Sequence, residues 1–144
     1  MIKKIEISAK IAENFKIVSD IRGHQVIIDQ PPLGGGKDEG PSPLECACLS
    51  LAACILTVGQ IIARQKRIKL RTIETRVEAE IEPDVYMGKN TTDRAGFLSY
   101  KVLTKIDADL TLEEKKQLLK EIDSRCPLSE NLQNHTPVQV ELEE

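Results

Sequence analysis

The chain has 144 residues, and its 20 basic and 23 acidic side chains give a formal charge of -3. That length suits one domain with a real hydrophobic core, and that charge argues against a surface built to grip nucleic acid or a membrane of anionic lipid. With no Trp, two Tyr and two Phe, an aromatic platform for single-stranded nucleic acid is hard to assemble, so aliphatic packing must carry the core.

Met1 to Ala12 alternates Ile with Lys and Glu and lacks the basic region, apolar block and cleavage site of a signal peptide. A cytoplasmic location is therefore the default. In that reducing compartment the four cysteines are more plausible as core filler, metal ligands or redox groups than as a disulfide framework. Ile5, Ile7, Ala9 and Ile11 recur at period two and predict a first strand with one buried face. Phe15–Val18 and Gln25–Asp29 predict two more, separated by a turn at Arg22-Gly23-His24. Gln30 to Pro43 is dense in Pro and Gly and reads as a loop. Within it Gly34-Gly35-Gly36-Lys37 is followed by Asp38 where a phosphate-binding loop needs Ser or Thr, so nucleotide binding is not supported and a flexible loop is expected.

Ser42-Pro43-Leu44-Glu45 carries the grammar of a helix start: Ser as cap, Pro at the first helical position and Glu closing a capping box. From Cys46 to Ala63 there are eighteen residues without a charge, then Arg64, Lys66, Arg67 and Lys69, which suit the negative end of a helix dipole. Apolar residues cover most of the circumference, so this helix should be buried nearly all round. Ser50, Thr57, Gly59 and Gln60 interrupt it and argue against a membrane span. A small domain has trouble surrounding such a helix, so a second copy of the chain is the natural cover, with Ala52, Ala53 and Gly59 allowing two helices to approach.

Ile73, Thr75, Val77, Ala79 and Ile81 alternate with charged residues, and Leu98, Tyr100, Val102, Thr104, Ile106 and Ala108 repeat the period. These strands are expected to pair antiparallel across a polar loop. Thr111 and Glu114 frame a second capping box, opening a helix that ends near Cys126-Pro127, because the residue before Pro is disfavoured in the α region. Ser129–Leu132 suggests a short turn, and Val138, Val140 and Leu142 a last strand. The order is βββ-α-ββ-α-β, an α+β chain read as one domain, 1–144.

Cys46 and Cys48 sit about 200° apart around a helix, which rules out a shared metal on an intact helix and favours packing roles. Cys54 lies mid-helix, where no free amides lower its pKa, so reactivity there needs a cation from another element. Cys126 stands at a helix end beside Arg125.

Gly40-Pro41-Ser42-Pro43-Leu44-Glu45, followed by Leu51-Ala52-Ala53-Cys54, resembles the central-helix signature of OsmC/Ohr proteins. Arg125-Cys126-Pro127-Leu128-Ser129 resembles the family's second motif, and the likeness spans the whole chain. The resemblance implies antiparallel sheets wrapped around a long central helix in an intertwined homodimer, with a thiol peroxidase site at the subunit interface. It further implies that Cys54 attacks an organic, often lipid-derived, hydroperoxide and becomes a sulfenic acid. Cys126 then condenses with it to a disulfide that an external dithiol reduces, with no bound cofactor or metal. Leu51, Ile55 and Val58 are expected to wall the substrate.

The classical enzymes carry a catalytic Glu ten positions before the reactive Cys, where this chain has Leu44. The nearest carboxylate is Glu45, an arrangement similar to the YhfA-like branch. It lies about 180° and ~13 Å from Cys54 along one helix, so it acts only across a dimer or through an Arg, or it serves as half of the capping box. For the activating cation the resemblance points to Arg22 in the early hairpin, with His24, Arg94 and Arg125 as alternatives. Two other readings stay open. One is a non-catalytic dimer binding an apolar small molecule in its interface cleft, and the other a Cys-His hydrolase using His24 or His135, for which no nucleophile-elbow spacing exists.

Overall fold

A computed structural model describes residues 1–90 and 92–144, which divide into two compact units, Met1–Ala47 and Cys48–Glu144. The first unit is a three-stranded antiparallel sheet of β1 (Lys10–Glu13), β2 (Lys16–Ile21) and β3 (His24–Ile28), in that order. Ile21 pairs with His24 across the two-residue turn Arg22-Gly23, both at positive φ (54° and 87°). This is the hairpin geometry whose twist matches its strands. The ladder of β1 starts at Lys10, later than the alternation suggests. With Lys10 opposite Val18, Ile7 would face Ile21, the last residue of β2, so Met1–Glu6 overrun the sheet and find no backbone partner on it.

Beyond β3 the Pro/Gly-rich segment, read from the sequence as a flexible loop, folds around a charge. The Asp29 side chain is buried, 2% exposed, and its carboxylate accepts the amides of Gln30 (2.8 Å), Lys37 (3.3 Å) and Glu39 (3.1 Å). A single 3-10 turn, Pro32–Gly34, forms inside the loop. Gly36 is required here, since a Cβ would stand 2.0 Å from the Gln30 carbonyl oxygen.

The long helix α1 (Pro43–Gln65) gives its first turn to the first unit and the remainder to the second. Its start is the expected capping box. The Glu45 amide donates to Ser42 Oγ at 3.2 Å and the Ser42 amide to the Glu45 carboxylate at 3.4 Å. α1 is long and apolar enough to cross a membrane by length and composition; here its apolar side forms the floor of a core.

The second unit continues with β4 (Leu70–Ile81), a one-turn helix α2 (Pro83–Tyr86), β5 (Phe97–Ala108), α3 (Leu112–Arg125) and α4 (Pro127–Gln133). β4 and β5 pair antiparallel along their length, from Leu70 opposite Ala108 to Ile81 opposite Phe97. A register shift beside Ile81 leaves Phe97 half-buried and Leu98 exposed, the reverse of what simple alternation predicts there. The Phe97 ring meets Tyr100 with centroids 4.8 Å apart. α3 begins at the expected box, Thr111 accepting from the Glu114 amide and Glu114 from the Thr111 amide.

The core of this unit gathers Leu51, Ile55, Val58 and Ile62 of α1 with Leu118 and Ile122 of α3 and Cys126. Gly59 admits this packing, because a Cβ there would lie 3.0 Å from Ile73 Cδ1 and 3.2 Å from Ile122 Cδ1. Its small size therefore serves contacts within the chain. Within the single chain α1 is buried on one side: Leu49 is 64% and Ile61 43% exposed, and with Ser50, Ala53 and Thr57 they form a stripe that this chain does not cover. Among the described residues the expected last strand does not form. Val138, Val140 and Leu142 are exposed and in no ladder, because a strand needs a backbone partner and the described sheet ends with β4 and β5.

Candidate functional site

Pro127 decides where Cys126 stands. A proline has no amide to continue a helix and pushes the preceding residue out of the α region, so α3 stops at Arg125 and Cys126 adopts φ -79°, ψ 112°. Pro127 is then an ideal first residue for α4. The kink turns the Cys126 side chain inward, where it is 0% exposed among Leu51, Ile55, Val58, Leu118 and Ile122. Cys54, half-buried on α1, packs against the same cluster. Both are free thiols.

The two sulfurs are neighbours. Burial pushes the Cys126 thiol above its ordinary range, the neighbouring Cys54 side chain pushes it further, and the amides of Ser129 and Leu128 pull in the opposite direction. Removing a thiolate from water is costly in an apolar core, and at Cys126 burial outweighs the two amides. The neutral thiol is the resting form.

A cavity of about 640 Å³ lies over Cys54, bounded by Ala53, Thr57, Val58, Ile61, Arg125 and Pro127. Arg125 therefore stands on the wall of the same cavity as Cys54. Its guanidinium also reaches Glu121 at 3.3 Å, and Glu121 is further paired with Lys66. Of the three expected substrate walls, Val58 lines this cavity. Leu51 and Ile55 face a separate one of about 950 Å³, with Phe97, Tyr100, Val102 and Leu119. Arg94 lines that second cavity.

Arg22 and Glu45 belong to the first unit. Arg22 is exposed at the tip of the β2–β3 turn with His24 beside it. The Glu45 carboxylate is occupied at the helix start by the Ser42 amide. Cys48 is half-buried and close enough to Tyr100 to raise its phenol, after burial itself. Among the described residues no three of His, Cys, Asp and Glu gather in a group fit for a metal ion.

Spacing in the sequence did not single out the polar group beside Cys126. Ser129, 9% exposed, donates to Asp123 Oδ1 at 2.5 Å and accepts from Gln133 Nε2 at 2.8 Å. The three residues lie on two helices separated by the Cys126-Pro127 break, so no single helical period connects them. Only the presence of Ser129 in the motif after Cys126 hinted at it.

Comparison with solved structures agrees with this architecture. An OsmC-like protein from Mycoplasma pneumoniae superposes with a TM-score of 0.81 at 24% identity, covering 94% of this chain and 91% of the other. An organic hydroperoxide resistance protein from Elizabethkingia anophelis gives 0.65 at 19% identity, covering 94% and 91%. That of Bacillus subtilis gives 0.58 at 21%, covering 96% of each chain. No curated protein sequence matches this one. At these identities the likeness establishes the fold, antiparallel sheets with a long central helix. A family model described as OsmC-like protein matches residues 35–141, a span that takes in the capped start of α1, both cysteines and the kink between α3 and α4, and on that match the chain belongs to the OsmC-like protein family.

Proposed function

We propose that this chain is a thiol-dependent peroxidase that reduces organic hydroperoxides in oxidative stress defence, with Cys54 as the attacking thiol and Cys126 as its resolving partner. The observation that carries this reading is the adjacency of two free thiols, one sealed in the core and the other on the wall of a cavity shared with an arginine. It is supported by similarity in fold to proteins named for organic hydroperoxide resistance.

In this mechanism the Cys54 thiolate attacks the distal oxygen of ROOH. An S–O bond forms as the O–O bond breaks, the alkoxide takes a proton and leaves as an alcohol, and Cys54 becomes a sulfenic acid. The Cys126 sulfur, once deprotonated, attacks the sulfenic sulfur and water leaves with the new disulfide. An external dithiol supplies two electrons by thiol–disulfide exchange and restores both thiols. No bound cofactor or metal enters the cycle.

A cation beside Cys54 favours the thiolate. Arg125, on the wall of the Cys54 cavity, is one candidate for it within the second unit. We assign Arg22, with Glu45 as the carboxylate that orients it, to the same task through a homodimer of single-domain cytoplasmic chains. The uncovered stripe on α1 at Leu49, Ala53 and Ile61 supports that assembly. Replacing Arg22 and Arg125 separately by Gln ranks them, since loss of the working cation slows the attack of Cys54 on hydroperoxide.

The decisive test is stopped-flow consumption of cumene hydroperoxide by the pre-reduced protein, followed by mass spectrometry of the cysteine peptides. The expected result is rapid consumption with a Cys54–Cys126 disulfide, fall to background in Cys54→Ser, and overoxidation of Cys54 in Cys126→Ser. Slow consumption with both thiols intact would sink the proposal.

A further inference from the structure

We infer that Asp123 and Ser129 are positioning residues that set the rate at which Cys126 closes a disulfide with Cys54, through a side-chain tie that fixes the angle between α3 and α4. The inference rests on the redox reading of the two cysteines and adds a device to it.

The argument starts from what the Cys126-Pro127 break costs. Inside a helix each residue is held by i to i-4 bonds, but Pro127 donates none and Cys126 is extended. The main chain crosses the break with one bond from α3, the Cys126 amide to the Asp123 carbonyl at 3.3 Å. α4 is a seven-residue helix, too short to hold its own direction. Left to the backbone alone, it would pivot about Cys126.

Side chains close that freedom. Asp123, on the last turn of α3, accepts from Ser129 Oγ on the first turn of α4 at 2.5 Å, and Gln133, one turn further along, donates to the same Oγ at 2.8 Å. Ser129 is buried, so water competes weakly for its hydroxyl and losing the bond leaves a polar atom poorly paired. The same residue thus holds the junction twice, its carbonyl accepting from the Cys126 amide and its carboxylate from the Ser129 hydroxyl. Between those two ties lies the backbone of Cys126, so a pivot there changes how its Cα–Cβ bond points relative to one helix or the other. The amides that temper the Cys126 thiol, those of Ser129 and Leu128, are carried by the same turn, so the tie sets both the aim of the sulfur and the donors around it. Reaction between two bound groups falls steeply with small misplacements, and ~1 Å can cost about a hundredfold.

The expectation separates the two chemical steps. In Ser129→Ala the attack of Cys54 on hydroperoxide keeps its rate, because no atom of the tie reaches the Cys54 cavity. Closure of the disulfide slows by roughly ten- to a hundredfold, and the sulfenic acid on Cys54 lives long enough to be trapped by a dimedone-type probe. Ser129→Thr keeps the hydroxyl and restores closure, and Asp123→Ala repeats the defect.

The test follows disulfide formation by mass spectrometry under two oxidants, cumene hydroperoxide and the azodicarboxamide diamide. Diamide takes two electrons and two protons from the thiol pair and leaves as its hydrazine, so it needs no peroxidase activity. Slow closure in Ser129→Ala under diamide, rescued in Ser129→Thr, supports the inference even in a protein that ignores hydroperoxide, the outcome that would remove the peroxidase reading alone. Closure at the unmodified protein's rate in Ser129→Ala overturns it, as does a Ser129→Thr protein as slow as Ser129→Ala or an equal slowing of both steps.

Discussion

Among the described residues the two compact units bury one acidic group each and solve the problem in opposite ways. In Met1–Ala47 the group is Asp29, and the amide of Gln30, ahead of the opposing effect of burial, holds its carboxyl below the ordinary value, with the amides of Glu39 and Lys37 adding to it. In Cys48–Glu144 it is Cys126, where burial comes first and lifts the thiol. Burial acts in the same direction on both. What differs is the number of donors, because three amides of a Pro/Gly-rich loop converge on Asp29 while two free amides at the start of α4 reach Cys126.

The apolar unit should break hardest. Ile122→Ala empties a fully buried site against Gly59 and Ile73 and is expected to cost about 2–5 kcal/mol, read by urea denaturation. In the polar unit Gly36→Ala forces a Cβ into the Gln30 carbonyl and is expected to cost about 1–3 kcal/mol. By NMR hydrogen exchange it would lose protection at the Lys37 and Glu39 amides and keep it at Leu51 and Ile55; equal loss in both would end the distinction between the units.

The pH dependence sharpens the same contrast. Asp29 has a depressed folded-state pKa, so its contribution is complete above the ordinary value of 3.8 and lost as pH falls below it. Cys126 has a raised one, so its contribution is complete below the ordinary 9.0 and lost as pH climbs above it. Unfolding followed residue by residue should show the Asp29 contribution as an acid limb in the first unit and the Cys126 contribution as an alkaline limb in the second, and Asp29→Asn should shrink the first. The smallest effect is expected from Cys46→Ser, which should leave stability within about 0.5 kcal/mol and hydroperoxide consumption unchanged.

Period, caps and punctuation made much of the fold legible. Alternation along Ile73–Ile81 and the strand facing it, Ser42 and Thr111 as caps, and Pro127 as the stop of α3 are local signals whose physics acts within a few residues, and each forms as read. Local signals also overreached. Val138–Leu142 alternates as a strand should but finds no partner, and Leu98 loses its inward place to Phe97 through a register shift. The Gly34–Gly36 stretch reads as slack until Asp29 is seen beneath it.

The site divides along the same line. The sequence by itself determined which thiols stand out and that Cys126 must sit at a helix break, because a proline's missing amide acts on its immediate neighbour. Only the tertiary structure decided that Cys54 and Cys126 share one cluster, that Val58 parts from Leu51 and Ile55, and that Asp123 and Ser129 tie two helices together. These contacts depend on how α1, α3 and α4 cross, a property of side-chain packing between distant segments that no local period encodes.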